Sequence, residues 1–518
     1  VDVMSVSSTE LFDIMNTELS PGQKEALPAW NDELLLTNHG VGSYTSRAVG
    51  KRWNKRCEQL ADAAERTAAA AGWLGAATYP KAVLDTAWKR FIAHQFHDDI
   101  TGTSFQVCYQ RNWNDYILSQ NQFAEEYRAA AGAVCSMMDT SFAKGVAVAV
   151  SNPLQSEGLR AEAVEALVQL PAGTKHIKVT GADKKEVPSQ IVSNENGLIK
   201  TVFLASVPSV GVAVYDVTPA AKPYTDPVAL NVSSTMIENN RLRVMFNSSG
   251  DICEIYDKNL GRNVLSGVIS LALFDYKGSK IWPAWELTYK EVKAPPREYA
   301  ANAKMKVVEF GPARAAVEIT RKAGESTFKQ IVSLDAGADT VRVFNEVDWR
   351  STASLLKAVF PLASANPKAS YDLGLGVIQR GNNTEKLYEV PAQMWADLTK
   401  YDGSFGVSVF SDSRAGWDKP DDGTLRLTAV HTPLYNFRWE CSQHLMDLGL
   451  NRFSFGIFSH AGGWQNGTQA AAARFNQPMA AFVTDAHKGE LPPAFSFARV
   501  SGNGVIIRAL KKANEGDE

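Results

Sequence analysis

A chain of 518 residues is longer than one hydrophobic core organises and divides into about three or four domains of roughly 100–200 residues each. With 53 basic against 56 acidic side chains its net charge is only −3, so it carries no electrostatic footprint for nucleic acid or an anionic membrane. Its longest apolar runs, such as 145–150, fall far short of the ~20 residues that span a bilayer.

Five scattered cysteines without a Cys-x-x-Cys spacing argue against both a disulfide framework and a thiolate zinc site. Val1 opens no charged and apolar leader pattern, so a signal peptide is expected to be removed or never present, and the compartment stays open. Sequons at Asn231, Asn247, Asn382 and Asn466 arise often by chance and decide nothing.

Residues 1–45 are mixed, ending in an apolar, strand-like run at 33–36 and a glycine-rich turn at 40–43. From about 46 to 139 the pattern is helical. Across 51–73, Trp53, Cys57, Leu60, Ala64 and Ala68 recur at three- and four-residue steps, which predicts one buried stripe of an amphipathic helix. Pro80 opens a second helix with Val83, Ala87, Phe91 and His94 on one face. Ser104 is the predicted N-cap of a third, running towards Met138. Short connections make these a three-helix bundle over 46–144.

Beyond 145 the helical period nearly vanishes. Apolar or alternating runs at 146–150, 163–170, 201–207 and 212–217 predict a small β domain over 145–217. Three prolines within 218–227 mark a linker. From 228 to 518 strand-like runs continue; in one of them Leu242, Val244 and Phe246 alternate with Arg241, Arg243 and Met245 as a half-buried antiparallel strand should. A large β-sandwich assembly is predicted there. The expected fold class is multidomain α+β: a three-helix bundle followed by large antiparallel β-sandwich domains.

The densest polar cluster is at the end of the second helix: His94, His97, Asp98, Asp99, Gly102, Thr103 and Ser104. On a helix His94 and His97, three apart, share a face. An imidazole there is a reasonable metal ligand, and the carboxylates beside it could orient it or bind sugar hydroxyls. The alternative is that His97 caps the last carbonyls and the aspartates are solvated. Spacing alone does not choose between them. Gly102 suits the left-handed residue that closes a helix.

The order of residues adds a resemblance. Phe96-His97-Asp98-Asp99-Ile100-Thr101-Gly102-Thr103 resembles the His-His-Asp-Ala-Ile-Thr-Gly-Thr signature of glycoside hydrolase family 38 α-mannosidases. Tyr44-Thr45-Ser46-Arg47 is similar to the family's Tyr-Thr-Ser segment. Tyr256-Asp257-Lys258 with Gly261-Arg262, then Asn345-Glu346-Val347-Asp348-Trp349-Arg350, Trp395-Ala396-Asp397 and Leu425-Arg426-Leu427-Thr428, resemble its C-terminal β region in the same order. The likeness runs from about Leu27 onward.

The resemblance implies a retaining α-mannosidase that acts on mannose-containing oligosaccharides such as N-glycans. Two carboxylates would do the chemistry, with a zinc ion holding mannose hydroxyls. It implies His97 as a metal ligand and Asp98 as a contact to the bound sugar, with Phe96 where the family has its first histidine. The remaining ligands and the nucleophilic aspartate lie upstream of anything matched. The chain is therefore expected to be the central and C-terminal part of such an enzyme, inactive alone, with the missing N-terminal portion as its partner. Residues 1–45 would be the tail of an α/β barrel-like catalytic domain.

No acid/base is assigned. The family pattern Glu-Leu-x-Leu-Glu-x-His reads Glu33-Leu34-Leu35-Leu36-Thr37-Asn38-His39 here, with Thr37 in place of the second glutamate. His39 and Tyr44 are candidates beside the site; alternatively Tyr44 packs and His39 bonds to backbone. Trp282, Trp285 and Glu286, like Trp417 and Asp418, could line a sugar cleft, although such rings mostly fill cores. Asp447-Leu448-Gly449 falls where the family places a loop facing the active site. Readings from other classes are a non-catalytic carbohydrate-binding scaffold and a lectin-like β-sandwich protein; the latter leaves the helix-end signature unexplained. Whether the chain forms a homo-oligomer is left open.

Overall fold

A computed structural model describes residues 3–37, 39–225, 227, 229–502 and 504–516. Asn38 of the acid/base pattern and Val228, the expected start of the large β domain, lie outside the described residues. The chain separates into two compact units, Val1–Leu36 and Thr37–Glu518.

The first unit holds α1 (Ser8–Glu18) and α2 (Pro21–Glu25). Each starts on a reciprocal cap. Ser7 and Glu10 exchange bonds at α1, and Ser20 and Gln23 do so at α2, which satisfies amide donors that have no partner inside a helix. No residue of either helix is buried. The strand expected at 33–36 does not form: its residues have no regular structure.

In the second unit α3 (Ala48–Trp73), α4 (Lys81–Ala93) and α5 (Gln106–Met137) form the bundle. The fully buried stripe of α3 is Lys51, Asn54, Cys57, Ala61, Ala64 and Ala68. It is offset from the expected one, and Trp53 and Leu60 sit at its margin. On α4, Leu84, Ala87 and Phe91 face the core, and Val83 is outside. All five cysteines are free, and no helix of the described residues is long and apolar enough to cross a membrane.

Strand Val146–Asn152 is buried along nearly its whole length because both its faces are covered. Val148 and Val150 pack against a three-stranded sheet (Arg160–Gln169, Leu198–Val207, Ser189–Glu195), while Ala147 and Ala149 pack against Ala68, Ala130 and Val134 of the bundle. Small alanines let the helices approach the sheet closely. Ala480–Thr484 pairs with Val146–Asn152, and Ala494–Ser496 with Gly211–Ala220. Residues 480–496 therefore complete the small β domain rather than the large one to which sequence assigned them.

The rest is antiparallel. A five-stranded sheet contains Leu242–Phe246, whose Leu242, Val244 and Phe246 are buried as the alternation predicted. A six-stranded sheet is centred on Ser354–Pro361 and Thr424–Thr432, and a nine-stranded sheet on Thr340–Trp349 and Gly449–Ala461. The six-stranded sheet encloses a buried ion network. Lys357 Nζ donates to Glu389 Oε2 (2.6 Å), Asp418 Oδ1 (2.7 Å) and Thr428 Oγ1 (2.8 Å), and Arg426 pairs with Asp418.

Candidate active site

Helix α4 ends by tightening. His94 N–H donates to Phe91 O (3.2 Å) and Gln95 N–H to Ile92 O (2.9 Å), the i→i+3 pattern of a closing turn. The helical period stops before His97, so the face expected to unite His94 and His97 does not exist. His94 is buried, with Nδ1 3.0 Å from Asp99 Oδ2 and Nε2 3.0 Å from Asp115 Oδ2. Both its ring nitrogens are occupied. His97 lies in the following turn with its side chain 75% exposed. Its ring rests on Phe96 at 4.1 Å, and Nε2 is 3.4 Å from Asp98 Oδ2.

Asp98 is held in place. Thr103 Oγ1 donates to its Oδ1 (2.7 Å), and its backbone carbonyl accepts from the amides of Thr103 (3.1 Å) and Ser104 (3.0 Å) and from Tyr109 Oη (3.0 Å). Ser104 is not the N-cap of α5. That position is Phe105, without a side-chain cap, and Ser104 Oγ turns back to Asp99 Oδ1 (3.2 Å). Gly102 closes the turn at φ +86°, and a Cβ there would stand 2.5 Å from Ser46 O. Gly102→Ala is expected to cost about 1–3 kcal/mol, as a side chain forced into the left-handed region does. Urea denaturation checks this; an unchanged midpoint would contradict the close approach.

The Tyr44 segment is fastened to the same turn. Ser46 Oγ donates to Ala284 O (2.6 Å) and Gly42 N–H to Trp285 O (2.8 Å). Arg47 Nε donates to Gly102 O (3.2 Å), Nη1 to Gln106 Oε1 (2.9 Å) and Nη2 to Cys441 O (2.8 Å). Lys51 Nζ donates to Ser46 O (2.6 Å) and Ile100 O (2.9 Å), so one buried ammonium spans both segments. Burial pushes Lys51 down to about 7. Asp447 accepts from Ala48 N–H (2.8 Å), and burial pushes its carboxyl up to about 6. Behind them, burial pushes His431 down to about 3, which keeps it neutral. Its Nε2 lies 3.0 Å from Thr45 Oγ1 and 3.3 Å from Ser46 Oγ.

Tyr44 itself is half-buried. His39 is exposed and bonds not to backbone but to a carboxylate, with Nδ1 3.0 Å from Glu286 Oε1. Its ring meets Trp282 edge-on at 5.3 Å, Trp282 stacks on Phe437 at 4.8 Å, and Trp285 closes the cluster. Thus Trp282, Trp285 and Glu286 gather around His39. Trp417 is fully buried and Asp418 belongs to the ion network, so neither lines a cleft.

Sequence reasoning did not single out Lys51 or His431. The signal for Lys51 was present: it falls three residues before Asn54 and six before Cys57 on the stripe that proved most buried, where a lysine needs acceptors. His431 had no local signal, since its partners lie more than 380 positions away.

Zinc needs about four ligands. Among the described residues no group of three or more His, Cys, Asp or Glu side chains is arranged to hold a metal ion. His97, with Asp98 beside it, is a partial donor set, so the residues described here do not by themselves fit a closed zinc site.

Residues 41–134 match the family model described as the alpha mannosidase middle domain, and residues 237–436 that of the glycosyl hydrolases family 38 C-terminal domain. Alpha-mannosidase 2C1 of Mus musculus is 26% identical over 505 residues, covering 94% of this chain and 44% of the relative. The Homo sapiens protein of that name is 25% identical, covering 98% and 45%. The chain thus spans about half the length of the curated relatives it matches. Among solved structures, an alpha-mannosidase from Enterococcus faecalis V583 superposes with TM-score 0.78 at 17% identity, over 94% of this chain and 63% of that one. That likeness concerns the fold.

Proposed function

Because the chain belongs to glycoside hydrolase family 38, we propose that it is the helical and β-rich part of an α-mannosidase, which removes terminal α-linked mannose from oligosaccharides. The observation that carries this reading is the turn after α4, where His97 stands exposed beside an Asp98 fixed by four hydrogen bonds. In this reading His97 gives one imidazole to a zinc ion whose other ligands come from polypeptide outside this chain. Bound there, the ion would act as a Lewis acid and template for the sugar. Asp98, with Oδ1 already engaged by Thr103, offers its other oxygen to a sugar hydroxyl. The reaction is retaining, with its nucleophile also outside the chain. In this reading His39 and Tyr44 also border the site; His39 is held by Glu286, and the segment of Tyr44 by the Ser46–Ala284 bond.

A second reading has one observation in its favour, the partial donor set: residues 1–518 alone act as a carbohydrate-binding scaffold without turnover. Both readings are tested by assaying p-nitrophenyl α-mannoside with the complete enzyme and with residues 1–518, each with and without chelator. Chelator-sensitive turnover is expected from the complete enzyme and none from residues 1–518. Turnover by the shorter chain would overturn the assignment of ligands outside it; chelator-resistant turnover by the complete enzyme would remove the metal.

A further inference from the structure

A cavity lies beside the His97 turn. It has a volume of about 460 Å³ and opens between the first turns of α3 and α5 and the 442–451 loop. That size falls within the usual ~300–1,000 Å³ of small-molecule sites. Its wall includes the rings of Trp53 and Trp113, set edge to face with centroids 6.3 Å apart. Around them stand Arg47, Gln106, Asp447 and Asn451.

Two wall residues carry unmet hydrogen-bonding capacity. Trp113 Nε1 is a buried donor and Asp447 Oδ2 a buried acceptor, and neither has a partner among the described residues. Each such orphan costs about 1–3 kcal/mol. One ligand chemistry suits this combination. A hydroxyl donates and accepts, so it can satisfy either atom, while the C–H face of a pyranose lies flat on an indole ring. An apolar ligand would leave both atoms unpaired, and an anion without a proton to donate would leave the Asp447 acceptor unpaired.

We propose that this cavity is a subsite for a second sugar residue of a mannose-containing oligosaccharide, with Trp53 and Trp113 as its stacking surface. The proposal rests on the α-mannosidase reading for the identity of the sugar. The cavity joins the first site through Arg47, which belongs to its wall and also donates to Gly102 O. Arg47 and Asp447 frame the cavity; Trp113 lies outside the His97 turn, and Asn451 Nδ2 donates to Asp447 O (2.6 Å) and Gly449 O (3.3 Å), which holds the loop that carries Asp447.

The test uses residues 1–518 titrated with methyl α-mannoside and with an α-linked mannobiose, followed by tryptophan fluorescence and calorimetry. Saturable binding is expected, roughly fivefold weaker in Trp113→Phe, which keeps a ring and deletes only the N–H donor. Asn451→Ala is expected to weaken it as well. Absence of saturation up to about 50 mM, well above the millimolar range of weak sites, would overturn the proposal. So would parental affinity in both variants, with folding verified by circular dichroism. Binding here together with a complete enzyme that hydrolyses no mannoside would retain the subsite and sink the enzymatic reading; hydrolysis without binding in this cavity would do the reverse.

Discussion

Replacing His97 by alanine in the complete enzyme is expected to abolish hydrolysis of p-nitrophenyl α-mannoside and to leave folding almost unchanged. The two halves of this expectation have separate causes. The imidazole is 75% exposed, rests on the Phe96 ring and approaches Asp98 at 3.4 Å. Removing an exposed side chain of this kind shifts stability by no more than about 0.5 kcal/mol. Losing even a residue that merely supports a metal ligand costs about 10–100-fold in activity, so losing a ligand should exceed a hundredfold. Turnover within a few fold of the parent would refute the assignment. A large fall in the urea midpoint would show instead that His97 is structural.

Lys357→Met is expected to be the most destabilising conservative change in the β region. The lysine is fully buried and is the shared donor to Glu389, Asp418 and Thr428. Burial holds the Glu389 carboxyl above its ordinary value, with Lys357 opposing that rise, whereas Lys357 and Arg426 together hold Asp418 below its own. Methionine fills the volume but leaves Glu389 a buried carboxylate paired with nothing except Thr428. Breaking a buried pair from one side costs roughly 3–5 kcal/mol. The effect should reach the candidate site, because Gly416 has no room for a Cβ between Glu389 and Thr45. Urea denaturation measures it, and a loss below about 1 kcal/mol would contradict the network's role. Adding Glu389→Gln should recover part of the loss, since the orphaned charge is then gone.

The sequence made the local features legible and the distant ones not. The helices around Cys57 and Phe91 and the alternating strand at Leu242, Val244 and Phe246 follow from period. What failed were features set by tertiary partners. His94 looked like a companion of His97 until Asp99 and Asp115 took both its nitrogens. Ser104 looked like an N-cap until Asp99 claimed its hydroxyl. Residues 480–496 read as part of the adjacent β region, because strand pairing with segments roughly 280–340 positions earlier leaves no trace in local pattern. In the site, His97, Asp98, Tyr44 and His39 were nameable from sequence. Glu286 was nameable only as a possible cleft residue and proved to be the partner of His39, while Lys51 and His431 came only with the packing.

The most direct measurement is the zinc content of the purified complete enzyme beside that of its His97→Ala variant, both dialysed identically and analysed by atomic emission. About one bound ion per chain is expected in the parent, and substantially less than that in the variant. Equal metal in the two proteins would contradict the account at its root, because this exposed imidazole would then coordinate nothing.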